Sequence, residues 1–102
     1  MSRDTAHFNA IKTFANRTTE ERFRTGKAKR VLVDVARRAL RMLELIDVAM
    51  RCSDLLVPPG NRLHALKGDR VGQRAIAVNE QWRICFRFEV GDAHDVEFCD
   101  YH

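Results

Sequence analysis

Three short stretches of this 102-residue chain carry groups able to move protons or hold negative charge. "HALKGD" supplies His64, Lys67 and Asp69, "WRICFR" supplies Arg83 and Arg87, and the final "DYH" supplies Asp100, Tyr101 and His102. A cation beside a proton-transfer group is the combination that phosphodiester cleavage requires. RNA needs no metal for this, because its own 2′-hydroxyl lies next to the scissile phosphorus. The protein then has to provide a base for the 2′ proton, fixed cations for charge building on the phosphoryl oxygens, and an acid for the departing 5′ oxygen. Imidazole suits the proton work, with a pKa of about 6.5, and Arg and Lys suit the charge. Each residue alone also has an ordinary structural reading: a strand histidine, a turn lysine, a solvent-facing strand arginine. Their joint placement is what points to chemistry. No carboxylate cluster and no His/Cys ligand spacing suggests a bound metal or other cofactor.

These groups are useful only if the fold gathers them. The length allows one domain, and 45% hydrophobic with 31% charged residues is the balance of a soluble globular chain. No apolar run approaches the ~20 residues needed to span a bilayer, and the polar start "MSRDTAHFNA" lacks a secretory apolar stretch, so the expected location is the cytoplasm, with no membrane partner. Cys52, Cys85 and Cys99 are odd in number and far apart, which suits reduced, inert thiols better than a disulfide frame. The net charge of +4 is unevenly spread: residues 1–51 hold twelve Lys and Arg against six Asp and Glu, residues 52–102 six against eight. That asymmetry would let the first half approach a polyanion, although solvated helix faces also collect basic residues.

"TTEERF" from Thr18 reads as a capping box with Glu21, opening a short helix that ends near Gly26. A long helix should follow, its buried stripe made of Leu32, Ala36, Ala39, Leu43, Ile46 and Met50, widened by Val31, Val35 and Met42. Asp34, Arg37, Arg38, Arg41 and Glu44 form its wet face. "VPPGN" at 57–61 breaks the helical pattern, and the period then changes to two. "RLHAL", "QRAIAV", "WRICFRFE" and "HDVEFCD", separated by turn signals, read as an antiparallel meander. In the strand at 82–88, Trp82, Ile84, Phe86 and Phe88 would face the helices, leaving Arg83, Cys85 and Arg87 on an open face. "HFNAIKTFA" at 7–15 should add an edge strand. The expected fold is α+β: two N-terminal helices packed on one face of a small, mostly antiparallel sheet. The tail should fold in as the last strand, returning beside Lys67 and Arg83.

"RLHxLKGD" at 62–69, "VNxxWRIxFRF" at 78–88 and the terminal "DYH" stand in an order and spacing that closely resemble the HigB toxins, the plasmid-maintenance killer proteins of the RelE-like superfamily. The resemblance runs from "IKTF" at Ile11 to His102, so 1–102 reads as a single RelE-like toxin domain with residues 1–10 as an N-terminal extension. It implies a ribosome-dependent mRNA endonuclease that cleaves the codon in the ribosomal A site of the 30S subunit. It places His64, Lys67, Arg83, Asp100, Tyr101 and His102 on active-site positions: His102 for proton transfer, Lys67 and Arg83 for phosphate charge, His64 to assist or orient, Asp100 to position the imidazole, and Tyr101 to contact substrate. Arg70, Arg74 and Arg87 are the RNA-binding candidates. The implied partners are the ribosome and mRNA, and a HigA-type helix-turn-helix antitoxin through which alone operator DNA is reached. Gln73-Arg74 departs from the family's usual Tyr-Trp pair, removing an aromatic and adding a cation; Ala65 and His94 replace a frequent Pro and Tyr. The alternative reading is a catalytically weak binding module acting with its antitoxin in transcriptional control. A further alternative, ribosome-free RNase activity, would rest on a thin catalytic set.

Overall fold

The computed structural model describes residues 10–27 and 30–101. The extension, beyond Ala10, and His102 therefore lie outside the described residues, as do His7, Phe8 and Asn9 of the expected edge strand.

The first helix, α1, spans Arg17–Thr25. Its cap is Asn16 rather than Thr18: the Asn16 side-chain oxygen accepts from the Thr19 amide at 2.8 Å, so the helix starts one residue before the expected cap and Thr18 lies inside it. An amide oxygen and a hydroxyl are comparable caps, and choosing between neighbours needs the backbone path. The helix ends as expected at Gly26, whose φ of 73° is left-handed and whose amide donates to the Arg22 carbonyl.

The second helix, α2, spans Val33–Val48. Ala39, Met42, Leu43 and Ile46 are buried, and Asp34, Arg37, Arg38, Arg41 and Glu44 are exposed as expected. The two ends of the stripe are not covered. Leu32 occupies the N-cap and is 77% exposed, and Met50 falls beyond the last turn and is 72% exposed, because the helix is shorter than its apolar pattern. Short 3-10 turns at Cys52–Leu56 and Pro59–Asn61 lead into the sheet. Buried Asn61 fastens this corner by donating to the carbonyls of Leu55 and Val57.

The sheet consists of β1 (His64–Ala65), β2 (Arg74–Ala77), β3 (Trp82–Glu89) and β4 (Asp92–Asp100), in the order β1-β2-β3-β4 with every neighbour antiparallel. The meander is as expected. Residues 10–15 lie along the outer edge of β4 as isolated parallel bridges, Ile11 to Ala93 and Phe14 to Val96, short of a continuous strand.

Directly opposed residues in an antiparallel pair point to the same face. Ile76, Ile84 and Phe98 form one such row, and with Phe86, Val96 and the α2 stripe they make the main core. Trp82 stacks on Phe98, with centroids 4.7 Å apart, and Phe88 packs against the same cluster. All four expected apolar residues of β3 thus face the helices. The joint between α1 and β4 is Thr19, fully buried, whose hydroxyl accepts from the Phe98 amide at 3.1 Å. Thr19→Val keeps the shape and strands that amide; a loss of about 1–3 kcal/mol is expected in denaturant unfolding, whereas an unchanged midpoint would show that the hydroxyl is not what joins them. Among the described residues no helix is long and apolar enough to cross a membrane.

Candidate active site on the open face of the sheet

The second face of the sheet is built from residues that alternate with the core. His64, Ala75, Cys85 and Glu97 form one cross-strand row, and Ala77, Arg83 and Cys99 the next. This face is not bare, as the period alone implied. Leu66, Ala75, Cys85 and Cys99 make a small buried cluster of their own, because the loop after β1 folds back over the sheet. Polar groups ring that apolar floor.

Arg70 lies over its centre. Its Nη1 donates to Gln73 Oε1 at 3.0 Å, and its Nη2 donates to Glu97 Oε1 at 3.1 Å and lies 3.6 Å from Cys99 Sγ. Burial works against its charge, but the Glu97 hydrogen bond and the neighbouring thiols outweigh this and hold the guanidinium protonated. Arg83 sits beside it, with its guanidinium carbon 5.0 Å from the centre of the Tyr101 ring. Arg83 Nε is buried and has no hydrogen-bond partner, so the ring holds the guanidinium by its π face. Arg87, on the same strand face, is tied at 3.3 Å to Asp95, which a bulge in β4 turns out at φ 54°.

His64 is exposed on this face, with Nδ1 2.8 Å from the Arg62 carbonyl oxygen. A carbonyl can only accept, so Nδ1 carries the hydrogen and Nε2 is the basic nitrogen of the neutral ring. Lys67 is exposed at the start of the 3-10 turn Gly68–Arg70, between Leu66, which enters the apolar floor, and Arg70. Asp69 is exposed in the same turn. Tyr101 follows β4, and its amide donates to the Gln81 carbonyl at 2.7 Å. The chain is therefore folded in up to Tyr101 and reaches Arg83, one of the two residues expected beside it.

Two candidates are placed elsewhere. Arg74 is opposite Phe86 and so belongs to the helix-covered side, where its charge acts on the Cys52 thiol. This RNA-binding candidate therefore does not share the open face with Arg83 and Arg87, since adjacent strand positions point to opposite faces. Asp100 is opposite Trp82, also on the helix side, and accepts from Gln81 Nε2 at 3.2 Å. It shares the end of β4 with Tyr101 but not its face. Arg70 is fixed by Gln73, read from the sequence only as a departure from the family's Tyr, and by Glu97, which no motif singled out. The alternation of Glu97 with Phe98 marks its face, but only the folded-back loop shows what it holds.

Among the described residues no three His, Cys, Asp or Glu side chains gather as a metal ligand set. A cavity of about 330 Å³ opens separately between α2 and the β2–β3 turn, lined by Arg38, Arg62, Asn79 and Glu80 among others.

Residues 12–102 match the family model of the HigB-like toxins, described as the RelE-like toxin of type II toxin-antitoxin system HigB. Toxin HigB-1 of Vibrio cholerae serotype O1 is 37% identical over 81 residues, covering 78% of this chain and 85% of the relative. Endoribonuclease HigB of Proteus vulgaris is 36% identical over 96 residues, covering 90% of this chain and 99% of the relative.

Proposed function

Since the chain belongs to the HigB-like family of RelE-like toxins of type II toxin-antitoxin systems, we propose that it is an endoribonuclease that enters the ribosomal A site and cleaves the mRNA codon there, halting translation. The observation that carries this reading is Arg83, held against the Tyr101 ring with a buried, unpartnered Nε, on the same face as His64 and Arg70. A guanidinium fixed by a ring face and tied to no carboxylate keeps its terminal Nη donors for a phosphate, and prior fixing is what makes such charge effective.

In this reading the message's 2′-oxygen attacks the adjacent phosphorus, its proton passes to a base, and the bond to the 5′ oxygen breaks as that oxygen gains a proton. The products are a 2′,3′-cyclic phosphate end and a 5′-hydroxyl end. No metal is required, because the nucleophile is part of the substrate. Arg83 and Lys67 hold charge on the phosphoryl oxygens. His102 moves the proton, and His64 assists through the Nε2 that its bond to Arg62 leaves basic. Tyr101 contacts the message. Arg70 and Arg87 bind flanking phosphates, whereas Arg74 and Asp100, on the helix-covered side, act only at the margins of the site. The site of action is the cytoplasm, where translation occurs, and the neutralising partner is a HigA-type helix-turn-helix antitoxin that alone contacts operator DNA.

Expression of the wild-type chain in a bacterial host arrests growth, and His102→Gln relieves the arrest while the protein stays soluble. A fusion at the C-terminus weakens the arrest, and one at the N-terminus does not. Growth unaffected by soluble wild-type protein would return the reading to a binding module without cleavage.

A further inference from the structure

Cys85 and Cys99 are side by side. Cys85 is opposite Glu97 and Cys99 opposite Arg83, so the two are diagonal neighbours across β3 and β4 on the open face. Their sulfurs are 3.5 Å apart, with Cys99 donating to Cys85. Apolar packing alone would not bring a guanidinium to this pair, yet Arg70 Nη2 lies 3.6 Å from Cys99 Sγ.

We propose that Cys85 and Cys99 form an oxidisable dithiol, which a hydroperoxide converts into a disulfide joining β3 to β4 beneath Arg70. This does not depend on the RNA chemistry above.

The surroundings favour one negative charge on the pair. The hydrogen bond from Cys99 is the largest influence on Cys85 and, with the charges of Arg83 and Arg70, outweighs burial to bring its pKa down to about 7. The bond that Cys99 donates, together with burial, pushes the Cys99 thiol up. One thiolate and one thiol therefore share a proton near neutral pH. Cys85 is fully buried and Cys99 is 8% exposed, so the edge of the pair that solvent reaches is Cys99. Transfer of the shared proton puts the charge on that sulfur. Cys52 has no thiol beside it among the described residues, and burial raises its pKa despite Arg74.

The chemistry balances in two steps. The thiolate sulfur attacks one peroxide oxygen, the O–O bond breaks, and the departing oxygen takes a proton to leave as alcohol, or as water from hydrogen peroxide. The resulting sulfenic acid is then attacked by the second sulfur, its S–O bond breaks, and water leaves as the S–S bond forms. Two thiols lose two electrons and the hydroperoxide gains them. The sulfurs must close from 3.5 Å to about 2.05 Å, a movement that side-chain rotation begins and small adjustment of β3 against β4 completes.

The test treats the purified full chain with a small molar excess of hydrogen peroxide, alkylates the remaining thiols after unfolding, and maps peptides by mass. The expected product is an intramolecular Cys85–Cys99 link with Cys52 alkylated, reversed by dithiothreitol. Cys52→Ser leaves the link intact. Cys99→Ser and Cys85→Ser abolish it, and in Cys85→Ser the sulfenic acid on Cys99, the sulfur that solvent reaches, is trapped by dimedone; circular dichroism confirms that both variants are folded. Should either not fold, the wild-type map decides alone. Oxidation confined to Cys52, links only between molecules, or fully alkylated Cys85 and Cys99 would each overturn the proposal.

Discussion

Arg83→Ala lowers cleavage of ribosome-bound message by about 10²–10³-fold, the usual loss when one fixed charge or donor is removed from a transition state. The expectation comes from how Arg83 is held. Its strand partner is Cys99, its guanidinium lies over the Tyr101 ring at 5.0 Å, and Nε is buried without a partner. No carboxylate in the described structure forms an ion pair with it, unlike Arg70 and Arg87, each of which does. Arg83 is thus the guanidinium of this face whose charge is least neutralised. Arg83→Lys restores charge but not the planar fork, so its rate falls between wild type and alanine. Cleavage by purified protein on programmed ribosomes measures the order, and unfolding midpoints within about 0.5 kcal/mol of wild type separate a catalytic loss from a structural one. Equal activity of all three proteins would remove Arg83 from the site.

Phe86→Ala costs about 3–5 kcal/mol of stability. Phe86 is fully buried in the main cluster with Ile76, Ile84 and the α2 residues Met42, Leu43 and Ile46, and its ring meets Phe88 edge to face at 6.5 Å. Truncation opens a cavity in the middle of the helix–sheet interface, where the surrounding strands have little freedom to collapse. For a domain of this size the melting temperature should fall by more than about 10 °C. Phe88→Ala should cost less, because Phe88 is only partly buried. Thermal melts of the two variants check this, and a Phe86→Ala loss below about 1 kcal/mol would mean that the interface is not the centre of the core.

Both predictions rest on features readable in the chain. The alternation of Trp82, Ile84, Phe86 and Phe88 with Arg83, Cys85 and Arg87 assigned the two faces of β3, because a strand buried on one side tolerates apolar groups only there. The heptad-like steps through Ala39, Leu43 and Ile46 assigned the buried stripe of α2 for the same reason. Periodicity weakened wherever burial ended: Leu32 and Met50 continue the stripe but extend past the helix.

The contents of the site were less legible, because they depend on relations between elements. The face of Arg74 was not legible, since in a four-residue strand it hangs on a single unit of register. Asp100 stands opposite Trp82, a pairing that alternation along β4 alone does not give, and its expected role of positioning His102 falls on a residue outside the described ones. The clamp of Gln73 and Glu97 on Arg70 joins residues 27 apart and requires the loop after β1 to lie back over the sheet. The approach of Cys85 to Cys99 is a diagonal contact between strands, invisible to any pattern along one of them.

Cleavage of message on the ribosome by a site built around Arg83 is decided by mapping transcript ends across cells induced for the wild-type chain and for Arg83→Ala. New 5′-hydroxyl ends are expected within codons of translated frames, lost when translation initiation is blocked and lost with Arg83→Ala. Ends spread equally through untranslated RNA, or unchanged by that substitution, would contradict it.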